Sequence, residues 1–244
     1  MSGTVFVAGA TGAVGMPLVR LLVRGGWRVF GTTRQHQRAA SLQRAGAEAV
    51  VVDVFDAPAL RSALARVRPE VVVHQLTDLP TLRTPESLSA AIVRNARVRR
   101  EGTRNLVEAS LACGCRRLVA QSIAWVYASG PLPHVETDPL DIHATGERVI
   151  SVQAVSELES RVLGSPVLQG VVLRYGRLYG PRTWSAQAEG DMALHVDDAA
   201  NAAWLAINRD DATGIFNVSE PGPQLSTERA RRELGWSHGF RLAG

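Results

Sequence analysis

A short apolar run, Val5 to Ala8, leads through Gly9-Ala10-Thr11-Gly12-Ala13-Val14-Gly15 into a segment with helical periodicity carried by Leu18, Leu21 and Leu22. A glycine-rich turn joining a strand to a helix admits few folds, because the helix must pack back on its strand while its first amides stay open. Gly9 permits the tight turn, Gly12 lets the backbone approach a pyrophosphate, and Gly15 permits close helix packing. Gly9, Thr11, Gly12, Ala13, Val14 and Gly15 are therefore expected to cradle the phosphates of a dinucleotide at a helix N-terminus.

The rest of the chain alternates in the same way. Strands are predicted at Arg28 to Thr33, Ala49 to Val52, Val71 to His74, Arg117 to Gln121 and Val171 to Arg174. Helices are predicted at Met16 to Arg24, Gln37 to Ala45, Ala57 to Ala65, Pro85 to Ala112 and Val149 to Leu163. Alternation of this kind implies right-handed crossovers, so the expected fold class is α/β, a doubly wound (Rossmann) parallel sheet with helices on both faces. The expected division is a dinucleotide-binding domain over 1–170 and a small, trimmed C-terminal lobe over 171–244, packed as one unit.

With 244 residues, 45% of them hydrophobic, the chain can bury one substantial core. No apolar run reaches the roughly 18 residues of a bilayer span, and no signal peptide precedes the first strand, so a cytoplasmic protein without membrane contact is expected. Cys113 and Cys115 fit neither a zinc site nor a disulfide framework and read as reduced thiols. A net charge of +4 raises the question of nucleic acid. The arginines are interleaved with acids rather than gathered in a basic stripe, and the densest group, Arg94, Arg97, Arg99, Arg100 and Arg104, falls at helical spacing on a solvated face. Nucleic acid is not the expected partner.

The end of the second predicted strand bears on cofactor choice. An acid there would bind a ribose 2′-hydroxyl, whereas arginine would clamp a 2′-phosphate. Thr33 and Arg34 stand there, with His36 and Arg38 behind and no acid, which favours NADP over NAD. If Arg34 is only an exposed loop arginine, the preference stays open.

Several further segments can be set beside these: VVDVFD around Asp53, VVVHQLT at 71–77, EGTRNLVEAS at 101–110, LRYGRLYGP at 173–181, HVDDAANA at 195–202, GIFNV at 214–218 and RRELGW at 231–236. Together they resemble the extended short-chain dehydrogenase/reductase family, the NAD-dependent epimerases and dehydratases. The resemblance implies that Asp53 and Val54 contact adenine, that His74, Gln75, Leu76, Thr77 and Gln121 run beside the cofactor, and that Tyr179 to Pro181 lie near the nicotinamide. It also implies that Asp197 or Asp198 caps the next helix.

The same resemblance makes one absence informative. The family transfers protons with a tyrosine and a lysine four residues later, and all 27 basic residues here are arginine. Arginine is a planar fork rather than a compact ammonium. On the helix where the pair is expected, VISVQAVSELES offers Ser151 and Val155. In QSIAWVYA, the place of the family's catalytic Ser or Thr holds Ile123, with Ser122 one position earlier. Arg177 replaces a common asparagine, and the stretch between Pro181 and His195 is short.

Three side chains remain as candidates for chemistry: Ser122 and Tyr127 lining the site, and His143 as a proton donor. The helices at 85–112 and 149–163 correspond to the pair that dimerises this family, with Glu157 and Glu159 the expected acceptors if the arginines face a partner copy. The alternative is a solvated arginine face on a monomer. The expected function is an atypical NADP(H)-dependent oxidoreductase acting on a small-molecule carbonyl or enone. A non-catalytic NADP(H)-binding redox sensor and a sugar-nucleotide epimerase or dehydratase are the alternatives, the last of which needs a base that the sequence does not offer.

Overall fold

Val5 and Val7 of β1 (Thr4–Ala8) point to one side of a sheet, and Phe6 and Ala8 to the other. All four are buried, the signature of a strand covered on both faces. The computed structural model describes residues 3–80 and 84–242. Its elements after β1 are α1 (Gly15–Arg24), β2 (Arg28–Thr33), α2 (His36–Arg44), β3 (Glu48–Val51), α3 (Ala57–Val67), β4 (Val71–His74), α4 (Pro85–Arg97) and α5 (Thr103–Ala112). They continue with β5 (Arg117–Ile123), α6 (Gly146–Leu163), β6 (Gln169–Tyr175), β7 (Arg177–Tyr179), β8 (Ala193–His195), α7 (Val196–Asn208) and β9 (Gly214–Val218).

Seven strands form one sheet in the order β3-β2-β1-β4-β5-β6-β9, every neighbouring pair parallel. One core places α1, α2 and α7 against Val5, Val7, Val73, Leu173 and Phe216; the other places α3, α5 and α6 against Phe6, Val72, Leu118 and Val172. The strand order reverses between β1 and β4, so a crevice opens beyond their carboxyl ends, where ligands enter sheets of this kind.

Within 171–244, β6 and β9 join the main sheet, and outside it lies the two-stranded ribbon of β7 and β8. Two expectations are corrected. The helix predicted from Pro85 to Ala112 contains a π-helical turn, Val98–Gly102, between α4 and α5. Neither Asp197 nor Asp198 caps α7. The cap is the His195 ring, whose Nδ1 accepts the Asp197 amide at 3.1 Å, while buried Asp198 accepts Phe240 N at 2.7 Å and Arg241 Nη1 at 3.0 Å.

Candidate active site

The turn after β1 is held by its own backbone. Gly12 N donates to Gly9 O at 3.0 Å. Gly9 has φ 86°, and a Cβ there would meet Gln75 O, beyond β4, at 2.5 Å. A Cβ on Gly15 would come within 2.1 Å of Gly9 O, whereas one on Gly12 would meet only that oxygen, at 3.2 Å. Gly15 is thus a packing glycine, and Gly12 faces open space. No side chain caps α1 and no acid stands in its first turn, so the amides there remain available to an anion.

Two depressions meet at Gly12, Gln75 and Thr77. The smaller, about 160 Å³, is walled by Gly9, Thr11, Thr33, Arg34, Arg38, Asp53, Val54 and Leu76 among others. The larger, about 1230 Å³, takes in Ala13, Val14, Gln121, Ser122, Ser151, Tyr175 and Tyr179. Of the residues expected at the cofactor, Gly15, His74, Gly180 and Pro181 lie outside both walls. The polar groups fit a dinucleotide: uncapped amides for phosphate, two exposed arginines beyond β2, and the buried acceptor Gln75 Oε1, which has no hydrogen-bond partner among the described residues. That orphan acceptor costs folding free energy unless a ligand donates to it.

The candidate catalytic side chains are not brought together. Ser122 reaches the cleft wall, but its hydroxyl donates to Glu159 Oε1 at 2.9 Å. Tyr127 does not line the cleft. Its hydroxyl donates to Asn217 Oδ1 at 2.6 Å and accepts from Arg174 Nη1 at 2.7 Å, and burial pushes its pKa up, against the pull of Arg174. His143 is exposed on the segment before α6 and also lies off the wall. Ser151 lines the cleft, while Val155, one turn on, is buried with Ile123, Val126 and Val152.

The acceptors expected for a partner copy are engaged within the chain. Glu157 pairs with Arg100 at 2.8 Å, and Glu159 receives Arg174 Nη2 at 2.7 Å in a buried ion pair. Sequence reasoning missed three parts of the cleft: Trp125, which carries Arg177 over its ring at 5.3 Å; Trp184, bonded to Pro80 O at 2.9 Å; and Arg99. The tryptophans gave no periodic signal because both sit in loops. Among the described residues, no group of His, Cys, Asp and Glu could hold a metal, and no helix is long and apolar enough to cross a membrane.

The model of the NAD dependent epimerase/dehydratase family matches residues 5–193. A 3-diazoavenalumate denitrifying reductase from a Streptomyces species is 42% identical over 240 residues, 90% of this chain and 76% of that protein. A dTDP-4-dehydrorhamnose reductase from Streptomyces griseus is 30% identical over 211 residues, 82% of this chain and 60% of that protein. In fold, the chain is similar to the Thermotoga maritima UDP-glucose 4-epimerase, with TM-score 0.75 and 19% identity over 96% of this chain and 93% of that one. It is also similar to the Bordetella bronchiseptica enzyme WbmG in complex with NAD, with TM-score 0.75 and 19% identity over 99% and 91%.

Proposed function

The chain belongs to the NAD dependent epimerase/dehydratase family, and from that premise we propose that it is an NADP(H)-dependent reductase whose substrate takes a hydride without needing a proton from the protein. When bound, the reduced nicotinamide supplies that hydride. The residues of this chain hold and orient: amides of the Gly9 to Gly15 turn receive phosphate, and Arg34 and Arg38 favour a 2′-phosphate.

The observation that carries the proposal is that, among the described residues, the cleft hydroxyls of Ser122, Tyr175 and Tyr179 are committed as donors, which leaves Ser151 and Thr77 as the small hydroxyls without a hydrogen bond. Ser122 donates to Glu159, Tyr175 donates to Ala199 O at 3.0 Å, and Tyr179 donates to Glu220 Oε1 at 2.5 Å. Burial pushes Tyr175 up, and Tyr179 is raised by burial and by the Glu220 carboxylate, so neither phenol is an effective acid near neutrality. The chain contains no lysine to lower a phenol pKa. A diazonium carbon suits such a site: it accepts hydride, the C–N electron pair leaves with dinitrogen, and no proton moves. The relative named for a diazo compound supports that class, and Trp125 and Trp184 favour a planar aromatic body. The test is NADPH oxidation with an arenediazonium, compared with a no-enzyme control. No enzyme-dependent turnover would overturn the proposal.

The second reading, reduction of a small carbonyl or enone, rests on Ser151, whose hydroxyl lines the cleft. It requires a transferred proton, which a solvent isotope effect would reveal.

A further inference from the structure

Five arginines crowd the α4–α5 segment, and four have partners. Arg94 lies 3.5 Å from Asp78, Arg97 pairs with Glu101 at 2.8 Å, Arg100 pairs with Glu157, and Arg104 bonds Asn105 at 3.3 Å. Arg99 differs. It sits in the π-helical turn, lines the large cavity, and has no hydrogen bond or ion pair among the described residues. The nearest buried carboxylate cannot serve it, because Glu159 Oε1 takes Ser122 and Arg174 Nε, both at 2.9 Å, and Oε2 takes Arg174 Nη2.

We propose that Arg99 is the receptor for a carboxylate carried by the substrate. A half-buried guanidinium with no hydrogen-bonded counter-ion is costly, and a planar two-oxygen anion satisfies it in bidentate fashion. Burial pulls the Arg99 pKa down to about 10, partly opposed by Glu159, so it remains a cation at neutral pH. The cofactor phosphate is the other anion in reach. Arg99 lines the large cavity with Gln121, Ser151 and Trp125 and is absent from the wall shared by Thr11, Arg34 and Asp53, but Gly12, Ala13 and Val14 of the phosphate turn line that cavity too, so the NADP titration below separates the two anions. Arg99 continues the cavity-lining stripe of Leu88, Ala91, Ile92 and Asn95 at helical spacing, which sets it on a different face from Arg97 and Arg100. The proposal rests on the reductase reading for its substrate class: an aromatic acid bearing the reducible group.

The test is a titration of the NADP-saturated protein with cinnamate and with cinnamamide, followed by tryptophan fluorescence. The wild type is expected to prefer the carboxylate by roughly 10-fold or more, and Arg99→Gln to lose that preference while keeping its amide affinity. NADP affinity should stay within about twofold, and the Tm should not fall, because an uncompensated charge has been removed. Arg99→Lys, which keeps the charge without the fork, should fall between. No carboxylate preference in the wild type, preference persisting in Arg99→Gln, or NADP binding weakened by the same factor would each overturn the proposal. Binding needs no turnover, so carboxylate selectivity without diazonium reduction would sink the reductase reading alone, and reduction without selectivity would sink this one alone.

Discussion

Arg174 Nη1 donates to the Tyr127 hydroxyl across 2.7 Å, in a buried network that ends on Glu159 and Asn217. The tyrosine is therefore a structural hydrogen-bonding group. Tyr127→Phe leaves Asn217 Oδ1 without its donor and removes one acceptor from Arg174, so stability should fall by about 1–3 kcal/mol in thermal denaturation. Turnover of a reducible substrate should remain within about twofold of wild type, since no bond made only in the transition state is lost.

The glycines of the first turn should separate binding from folding. Gly12→Val points its side chain into the space beyond Gly9 O, so thermal unfolding should change little while NADPH titration shows no binding. Gly15→Ala drives a methyl against Gly9 O and should lower the Tm as well.

Arg34 should govern the choice between cofactors. It is exposed and walls the smaller depression. Arg34→Gln should weaken NADPH binding roughly 10- to 100-fold, the value of charge-assisted bonds, and leave NADH affinity unchanged. Equal loss for both would remove the 2′-phosphate assignment.

His74 should impose an acid limit on stability. Its Nδ1 accepts the Leu76 amide at 3.2 Å, so the proton rests on Nε2, which donates to Thr103 Oγ1 at 3.0 Å. Burial, reinforced by the Arg99 charge, lowers its pKa from 6.5 to about 4. Above pH 6.5 both folded and unfolded forms are neutral; between 6.5 and 4 only the unfolded chain takes up the proton, so stability falls as pH falls. The loss is on the order of 3 kcal/mol at the lower limit. Denaturant unfolding across this window should show that slope in the wild type and a shallower one in His74→Gln.

Much of this was legible before any coordinates. The β1 turn and the alternation of strands and helices could be read because glycine requirements and burial on both faces leave local marks. The roles of Ser122, Tyr127 and His143 were not legible, since a hydroxyl's partner, such as Glu159 for Ser122, comes from a distant element. His195 as a helix cap was hidden by the two aspartates that follow it. Arg99 was hidden in a run of arginines, although it shares one helical face with Leu88, Ala91, Ile92 and Asn95, which line the same cavity.

The central claim, hydride delivery without a protein proton donor, is tested most directly by isotope labelling. With NADPH deuterated at the transferred position and an arenediazonium carboxylate as acceptor, the account predicts deuterium at the former C–N carbon, a primary effect on turnover and no solvent isotope effect. Deuterium appearing from D2O instead, or a rate set by solvent protons, would contradict it.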